Sequence, residues 1–413
     1  MNVLLDNIGV VQNRTYRPCP ICHSIDAHYL TTLYFALPDG SPLPPQYELI
    51  VCLSCGTGFA DSEATQNDYA NYYRLFSKYE DIKVASGGGD DPADKRRLED
   101  VAEYLGTRIS PGSRILDVGC GNGGLLAAFK RLGFTDLTGF DPSVACCQRV
   151  HNQGFSACNI SLPLADRDLS SEYRKPYDLL ILSHVLEHVY DAHAVIASLV
   201  PLLTKKGILY IEIPDPTGYS NAEFPPLYFF DPEHINHFSE GSLRFLGASF
   251  GLEPLEIGHK DLILANGSRY PAFFVLLQSS GGLASVPQNR GELLSLLQAY
   301  VAQGSQDLEP LRVRILSIVG QDRPFALWGA GSLSQRLLGL PWFPRHLLRA
   351  VVDRDTNKQG LRFAGCRISS PEVGLQNLPP DAIVLCAAAI ASQAIAEDYR
   401  MLRLPYPFYS LHG

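Results

Sequence analysis

Four cysteines have the spacing to grip a metal ion: Cys19-Pro-Ile-Cys22 and Cys52-Leu-Ser-Cys55, with no cysteine between the pairs. Each C-x-x-C forms a short knuckle that aims two thiolates at one point. Two knuckles supply the four ligands of a tetrahedral zinc site. Four thiolates leave no coordination position for water, so such an ion would fold the segment rather than catalyse. Two disulfides, or a redox-active C-x-x-C, are the competing readings; a cytosolic chain that keeps its thiols reduced disfavours disulfides. The gap between the pairs is wider than in many zinc ribbons.

A second chemistry lies in Ile115-Leu116-Asp117-Val118-Gly119-Cys120-Gly121-Asn122-Gly123-Gly124. This D-x-G-x-G-x-G run differs from the dinucleotide fingerprint, whose wider glycine spacing admits a pyrophosphate at a helix N-terminus. Here an acid ends the strand and the glycines crowd together. That suits S-adenosylmethionine (SAM), which carries an ammonium, a carboxylate and a sulfonium but no phosphate. The glycines, with Cys120 among them, permit close backbone approach, and Asp117 can orient the methionine end. Asp141, in Gly139-Phe140-Asp141-Pro142-Ser143, follows at the distance of a ribose-binding acid. Asn159 is a candidate for the adenine amino group. Ser183 and His184 end a further strand, the place where such sheets hold ligands. For Glu187 and His188 the plainer reading is helix capping or packing.

The third cluster is Phe230-Asp231-Pro232-Glu233-His234-Ile235-Asn236-His237-Phe238-Ser239. Two histidines and two acids fall within seven residues, past the carboxyl end of another strand. Histidine titrates near neutrality and is a natural base for removing a substrate proton. His234 is the leading candidate, with Glu233 beside it and His237 and Asp231 as further catalytic candidates. The competing reading makes Asp231-Pro232 a turn and gives the histidines to the next helix, with Ser239 as its N-cap.

The elements that must position these groups alternate. Apolar strands are expected at 114–118, 137–140, 179–182 and 207–213, with helices at 93–105, 125–132 and 192–203, and another helix opening at 185–189. That β-α-β-α order predicts a parallel sheet covered on both faces. Pro271 to Gln278 reads as an antiparallel edge strand. Gly87 to Pro92 is a break and Gly281 to Gln288 a linker. After a helical connector over 292–319 the alternation restarts: strands at 325–328, 348–352 and 382–386, helices at 333–340 and 391–402. A Pro-rich loop (Pro38, Pro42, Pro44, Pro45) separates the two cysteine knuckles. The expected division is 1–66 zinc-binding, 67–280 catalytic core and 281–413 a second α/β unit.

With 46% apolar and 19% charged residues in 413, the chain reads as a well-buried globular protein. A net charge of -9 without a Lys/Arg cluster argues against nucleic acid as a partner. Met1 to Arg14 lacks the pattern of a signal peptide, and Ala382 to Ala396 is too short and too interrupted to span a bilayer. A cytoplasmic protein without membrane contact is expected.

The glycine loop, Asp141 and the Ser183-His184-Val185-Leu186-Glu187-His188 element, in this order, closely resemble class I SAM-dependent methyltransferases. The resemblance implies an α/β Rossmann-like core with a mostly parallel seven-stranded sheet, and SAM bound by Asp117, Gly119, Cys120, Gly121, Asp141, Pro142, Asn159, Ser183 and His184. The whole chain further resembles the zinc-containing C-methyltransferases that act on nucleotide-linked keto-sugars. The double C-x-x-C, the SAM core, the E-H-x-x-x-F-S segment and a C-terminal Rossmann-like unit around Trp328-Gly329-Ala330-Gly331-Ser332 carry that likeness. The family segment reads Y-H-E-H-x-x-Y-F-S. This chain keeps Glu233, His234, Phe238 and Ser239, but has Asp231, Pro232 and His237 where the family has Tyr, His and Tyr. The resemblance implies proton removal beside a sugar ketone and attack of the enolate carbon on the sulfonium methyl. The missing tyrosine keeps O- or N-methylation of a saccharide or other small molecule open. The second loop, Gly329-x-Gly331-x-x-Ser334, lacks a third glycine. With Asp353 beyond it, NAD binding is one reading; a wall over the substrate cleft, or a purely structural unit, is the other.

Overall fold

The computed structural model describes residues 16–76, 92–165, 169–279, 291–388 and 390–411. The expectations for Met1–Arg14, for most of the break at 87–92 and for the linker 281–288 lie outside these residues. Strands at the start are β1 (Ala27–Tyr34), β2 (Gln46–Cys52) and β3 (Gly58–Asp61). The middle of the chain gives β4 (Arg114–Val118), β5 (Asp136–Asp141), β6 (Ser156–Asn159), β7 (Tyr177–Ser183) and β8 (Leu203–Pro214). It continues with β9 (Asn236–His237), β10 (Leu252–Ile263) and β11 (Arg269–Ser279). The end gives β12 (Phe325–Trp328), β13 (Leu348–Val352), β14 (Arg362–Phe363), β15 (Cys366–Ser369), β16 (Ile383–Cys386) and β17 (Phe408–Ser410).

These strands form three sheets. The central one has seven strands in the order β10-β11-β8-β7-β4-β5-β6. β4 pairs parallel with β5 and β7, β5 with β6, and β7 with β8, whereas β11 runs antiparallel to β8 and to β10. The order reverses at β4, so the carboxyl ends of β4 and β5 open a crevice at the switch point. The expected edge strand at 271–278 is antiparallel, as read, but is not at the edge. β10 covers it, and its alternating charges (Glu253, Glu256, His259, Lys260, Asp261) hid a strand whose outer face meets water. The helix expected from Val185 is a single 3₁₀ turn, Leu186–His188, and the next helix is Ala192–Leu199. Asp191 caps that helix, accepting from Ala194 N–H at 2.8 Å, so the two segments could not fuse.

The N-terminal strands do not close on themselves. Their sheet runs β1-β2-β3-β9, and β9 comes from the segment that holds the candidate base. Gly58 lies opposite His237 and Phe59 opposite Asn236. The helix Glu292–Val319 packs beside them: a Cβ on Gly58 would lie 2.6 Å from Leu297 Cδ1, and one on Gly304 2.4 Å from Leu227 Cδ2. One apolar core therefore joins Phe35 and Tyr47, Tyr219 and Phe229, Leu297 and Tyr300, and Phe325 and Leu327. The third sheet, β14-β15-β13-β12-β16-β17, is parallel from β15 to β17 and carries the second glycine loop after β12. Among the described residues no helix is long and apolar enough to cross a membrane.

Candidate functional site

The cysteine knuckles meet as their spacing predicts. Cys19 Sγ lies 3.5 Å from Cys55 Sγ, and Cys22 Sγ 3.5 Å from Cys52 Sγ, with all four sulfurs within 4.8 Å of one another. A disulfide needs about 2.05 Å, and all ten cysteines are free thiols. Thiolates about 2.3 Å from a central zinc would sit roughly 3.8 Å apart. The donor set and spacing therefore fit a structural zinc ion.

The loop after β4 is built for close approach. Gly119, Gly121 and Gly123 have φ of 76°, 50° and 80°, a left-handed backbone that disfavours a side chain. Gly119 N–H donates to Phe140 O at 2.7 Å, which ties the loop to the end of β5. Asp141 then takes hold of it: Oδ2 accepts from Gly121 N–H at 2.9 Å and Oδ1 from Ser143 N–H at 2.8 Å. Asn159 donates its amide to the carbonyls of Asp141 and Pro142, at 3.1 and 2.9 Å. Asp117 is buried, and its carboxyl is pushed up to about 7, by burial first and by the charge of Asp141 second, against the pull of Arg97. Cys120 is buried beneath the loop, its sulfur 2.5 Å from where a Cβ on Gly139 would stand.

Ser183 and His184 belong to a buried charge cluster that the sequence reading missed. Its centre is Glu212 of β8, fully buried opposite Ser183. Glu212 accepts from Lys260 Nζ and Tyr210 OH, and Arg97 Nη1 lies 3.5 Å away. Arg97 also pairs with Asp94 at 3.0 Å. His184 sits between two carboxylates, Nδ1 3.0 Å from Glu187 Oε1 and Nε2 3.3 Å from Glu212 Oε1. Burial works to lower its pKa, but the two carboxylates outweigh this and raise it. His184 has φ of 56°, an uncommon backbone for a side chain of this size. The one local signal for Glu212 is an acid at an inward position of an otherwise apolar strand, Ile208-Leu209-Tyr210-Ile211-Glu212-Ile213.

The base candidates separate. His234 is half-buried, and its ring lies 4.7 Å from that of His188, edge to face. One donor atom each from Glu187, His188 and His234 come within 4.8 Å of one another. His188 Nδ1 lies 3.0 Å from the Glu233 carbonyl and 2.9 Å from Tyr73 OH. Asp231 caps the turn: Oδ1 accepts from the N–H groups of Glu233 and His234, both at 2.8 Å. Ser332 of the second glycine loop donates to its Oδ2 at 3.4 Å. His237 lies in β9, buried, with Nδ1 3.2 Å from Tyr219 OH. Burial, then the neighbouring His234, lowers its pKa to about 3, so it is neutral and away from solvent. Ser239 is the N-cap of helix Glu240–Ala248, as the competing reading had it.

One segment joins the two halves of the site. A Cβ on Gly119 would lie 2.6 Å from Val185 Cγ2, while His188, three residues on, touches His234. Ile235 N–H donates to Glu187 O at 2.8 Å, and Asn236 Nδ2 to Leu186 O and Val189 O at 3.0 and 2.6 Å. The glycine loop and His234 are thus linked through one hydrogen-bonded segment.

Residues 93–257 match the family model described as methyltransferase domain. Over these residues the chain is a methyltransferase domain. The chain is 34% identical over 112 residues to ubiquinone biosynthesis O-methyltransferase of Xanthomonas campestris pv. campestris (strain B100), covering 26% of this chain and 46% of that one. The same-named protein of Xylella fastidiosa (strain M23) is 34% identical over 113 residues, covering 26% and 45%. The chain thus spans less than half the length of these curated relatives. Among solved structures, magnesium protoporphyrin IX methyltransferase from Synechocystis PCC 6803 with bound SAM is 17% identical, covering 53% of this chain and 100% of that one. Its TM-score is 0.37, too loose a likeness to carry an argument about the site.

Proposed function

We infer that the protein is a zinc-stabilised, SAM-dependent methyltransferase acting on a small molecule, with C-methylation of a nucleotide-linked keto-sugar as the leading reading. The observation that carries it is the 183–188 segment. It packs its start against the glycine loop and its end against His234. A donor in the crevice and a substrate beside the base would then meet across one short element.

SAM supplies an electrophilic methyl group, and the residues present fit it. The left-handed glycines leave room for backbone approach, Asp117 meets the ammonium, and Asp141 presents its carboxylate to the ribose hydroxyls. Asn159, whose Nδ2 is held by the Asp141 and Pro142 carbonyls, would offer its Oδ1 to the adenine amino group. His234 would take the substrate proton from the carbon beside the ketone, leaving an enolate carbon as nucleophile; SAM would supply the methyl group, its S–CH3 bond breaking and S-adenosylhomocysteine leaving. Glu233 and Asp231 act by holding His234 in place. Asp231 does this through two turn hydrogen bonds. Buried, neutral His237 is given a packing role. The transfer gains mainly from positioning. Zinc on Cys19, Cys22, Cys52 and Cys55 would tie β1–β3 to β9 and so to the base. Metal loss from this quartet is expected to unfold that sheet, read as loss of its hydrogen-exchange protection together with activity.

A second reading, O-methylation, is favoured by the likeness to the ubiquinone biosynthesis O-methyltransferases. Incubation with a panel of nucleotide-linked keto-sugars and labelled SAM, followed by product NMR, separates the two. A new methyl on carbon, with substrate proton exchange in deuterated solvent before SAM is added, supports the enolate route. A methyl on oxygen overturns it. His234→Ala is expected to abolish turnover while calorimetry shows SAM affinity unchanged; full activity in that variant would remove the base.

A further inference from the structure

We propose that Glu187, His188 and His234 form a second metal site, one that takes a divalent transition-metal ion and silences the base when filled. The site is distinct from the cysteine quartet. Three observations meet there. The first is proximity: one donor atom from each residue lies within 4.8 Å of the others. The second is an orphan. Glu187 is 1% exposed; His184 holds Oε1, and Oε2 is buried with no hydrogen-bond partner. A buried carboxylate oxygen without a partner costs free energy and calls for an explanation. An ion between it and the histidines supplies one.

The third observation is the tautomer of His188. Its Nδ1 faces the Glu233 carbonyl at 3.0 Å. A carbonyl oxygen only accepts, so this contact favours the Nδ1–H tautomer with the lone pair on Nε2; Tyr73 OH, 2.9 Å from the same nitrogen, fits that tautomer by giving its own proton to the Glu233 carbonyl at 3.4 Å. Metal-binding histidines have this arrangement, with the far ring nitrogen donating to a carbonyl or carboxylate. The frame is also fixed in advance. Ile235 N–H and Asn236 Nδ2 clamp the Glu187–His188 turn to the strand that follows His234.

Two imidazoles and one carboxylate make a borderline donor set. It suits zinc, cobalt, nickel or copper rather than magnesium or calcium. An ion about 2.0–2.1 Å from each donor needs them roughly 3–3.5 Å apart. Three protein ligands leave at least one position for water or a substrate oxygen. With its lone pair on the ion, His234 accepts no proton, so filling the site stops base catalysis. That consequence rests on the base reading above; the binding itself does not.

The test uses the full-length, zinc-loaded protein and Co²⁺ as the probe. Equilibrium dialysis with metal analysis should find one cobalt ion per chain beyond the zinc. Its absorption should show the weak bands of nitrogen and oxygen ligands, without intense thiolate charge transfer. Glu187→Gln and His188→Gln should each weaken cobalt binding by roughly a hundredfold, with the zinc content unchanged. His234→Gln, at the partly exposed ring, does the same without touching the buried carboxylate, should Glu187→Gln fail to fold. No second ion, a thiolate spectrum, or variants that bind cobalt as the wild type does would each overturn the site. Cobalt should also slow methyl transfer, reversibly on adding a chelator. A cobalt-filled enzyme that still turns over at full rate leaves the metal site standing and overturns His234 as the base.

Discussion

The two glycine loops of this chain are built on one plan and diverge in what they can hold. Each follows a buried parallel strand, β4 or β12, and opens a helix. In each, the first glycine donates to the end of the neighbouring strand: Gly119 to Phe140 O at 2.7 Å, Gly329 to Val352 O at 2.8 Å. In each, an aspartate at the carboxyl end of that next strand accepts from a loop amide: Asp141, the last residue of β5, from Gly121 at 2.9 Å, and Asp353, just past β13, from Ala330 at 2.7 Å. The differences lie in charge and in backbone. Leu327 stands two residues before Gly329, where Asp117 stands before Gly119. Lys358 lies 3.3 Å from Asp353, so that carboxylate already has a cation from its own chain. Gly331 is extended, with φ of -108°, where Gly121 and Gly123 are left-handed. A shared scaffold thus gives a left-handed glycine turn beside two carboxylates in one place, the proposed cradle for a cationic ligand. In the other it gives a support whose Ser332 reaches across to Asp231.

The sharpest test of that contrast is a pair of aspartate substitutions. Asp141→Ala should weaken SAM by about a hundredfold, since hydrogen bonds to a charged group are each worth about 1.5–3 kcal/mol. Asp353→Ala should leave SAM affinity within about twofold, because its partners, Ala330 N–H, Asp355 N–H and Lys358, all belong to the C-terminal unit. Calorimetry on both variants decides it; equal losses would mean that the loops share a ligand. A smaller effect is expected in the pH dependence. Asp117 has a carboxyl pushed up to about 7, so below that pH it is largely protonated. A ligand ammonium requires it ionised, and binding therefore releases a proton. SAM affinity should fall by about tenfold per pH unit below 7 and level off above it. Asp117→Asn should flatten the profile.

Much of the first loop's geometry was legible in the sequence because its contacts are local. Asp117, the glycines and Asp141 lie on two adjacent strands, and strand order follows from the β-α-β pattern. The meeting of the two cysteine knuckles was legible for the same reason. The Glu212 cluster was not. Arg97, Ser183, Glu212 and Lys260 come from a helix and three strands that only the finished sheet brings together. The sharing of β9 with the N-terminal sheet was equally hidden, since a two-residue strand has no periodicity to read. His237 shows the limit from the other side. Its type and position suggested a base, yet its side chain is enclosed by Phe230, Tyr219 and the strand partner Gly58. Residue type announces what a group can do; burial decides whether it does it.

The backbone half of the contrast is tested by alanine in the two loops. At Gly119 a Cβ meets two obstacles. The φ of 76° costs a side chain about 1–2 kcal/mol, and Val185 Cγ2 stands 2.6 Å from where the Cβ would be. Overpacking of that kind adds about 1–3 kcal/mol when the neighbour cannot move, and Val185 leads directly into the turn that carries Glu187 and His188. Gly119→Ala should therefore lower the melting temperature and, in the protein that stays folded, reduce both SAM affinity and turnover. At Gly331 the backbone is extended and nothing lies within 4 Å of a Cβ. Gly331→Ala should shift stability by no more than about 0.5 kcal/mol. If Gly331→Ala proves the more damaging of the two, the second loop has a close-approaching ligand of its own, and the division between cradle and support fails.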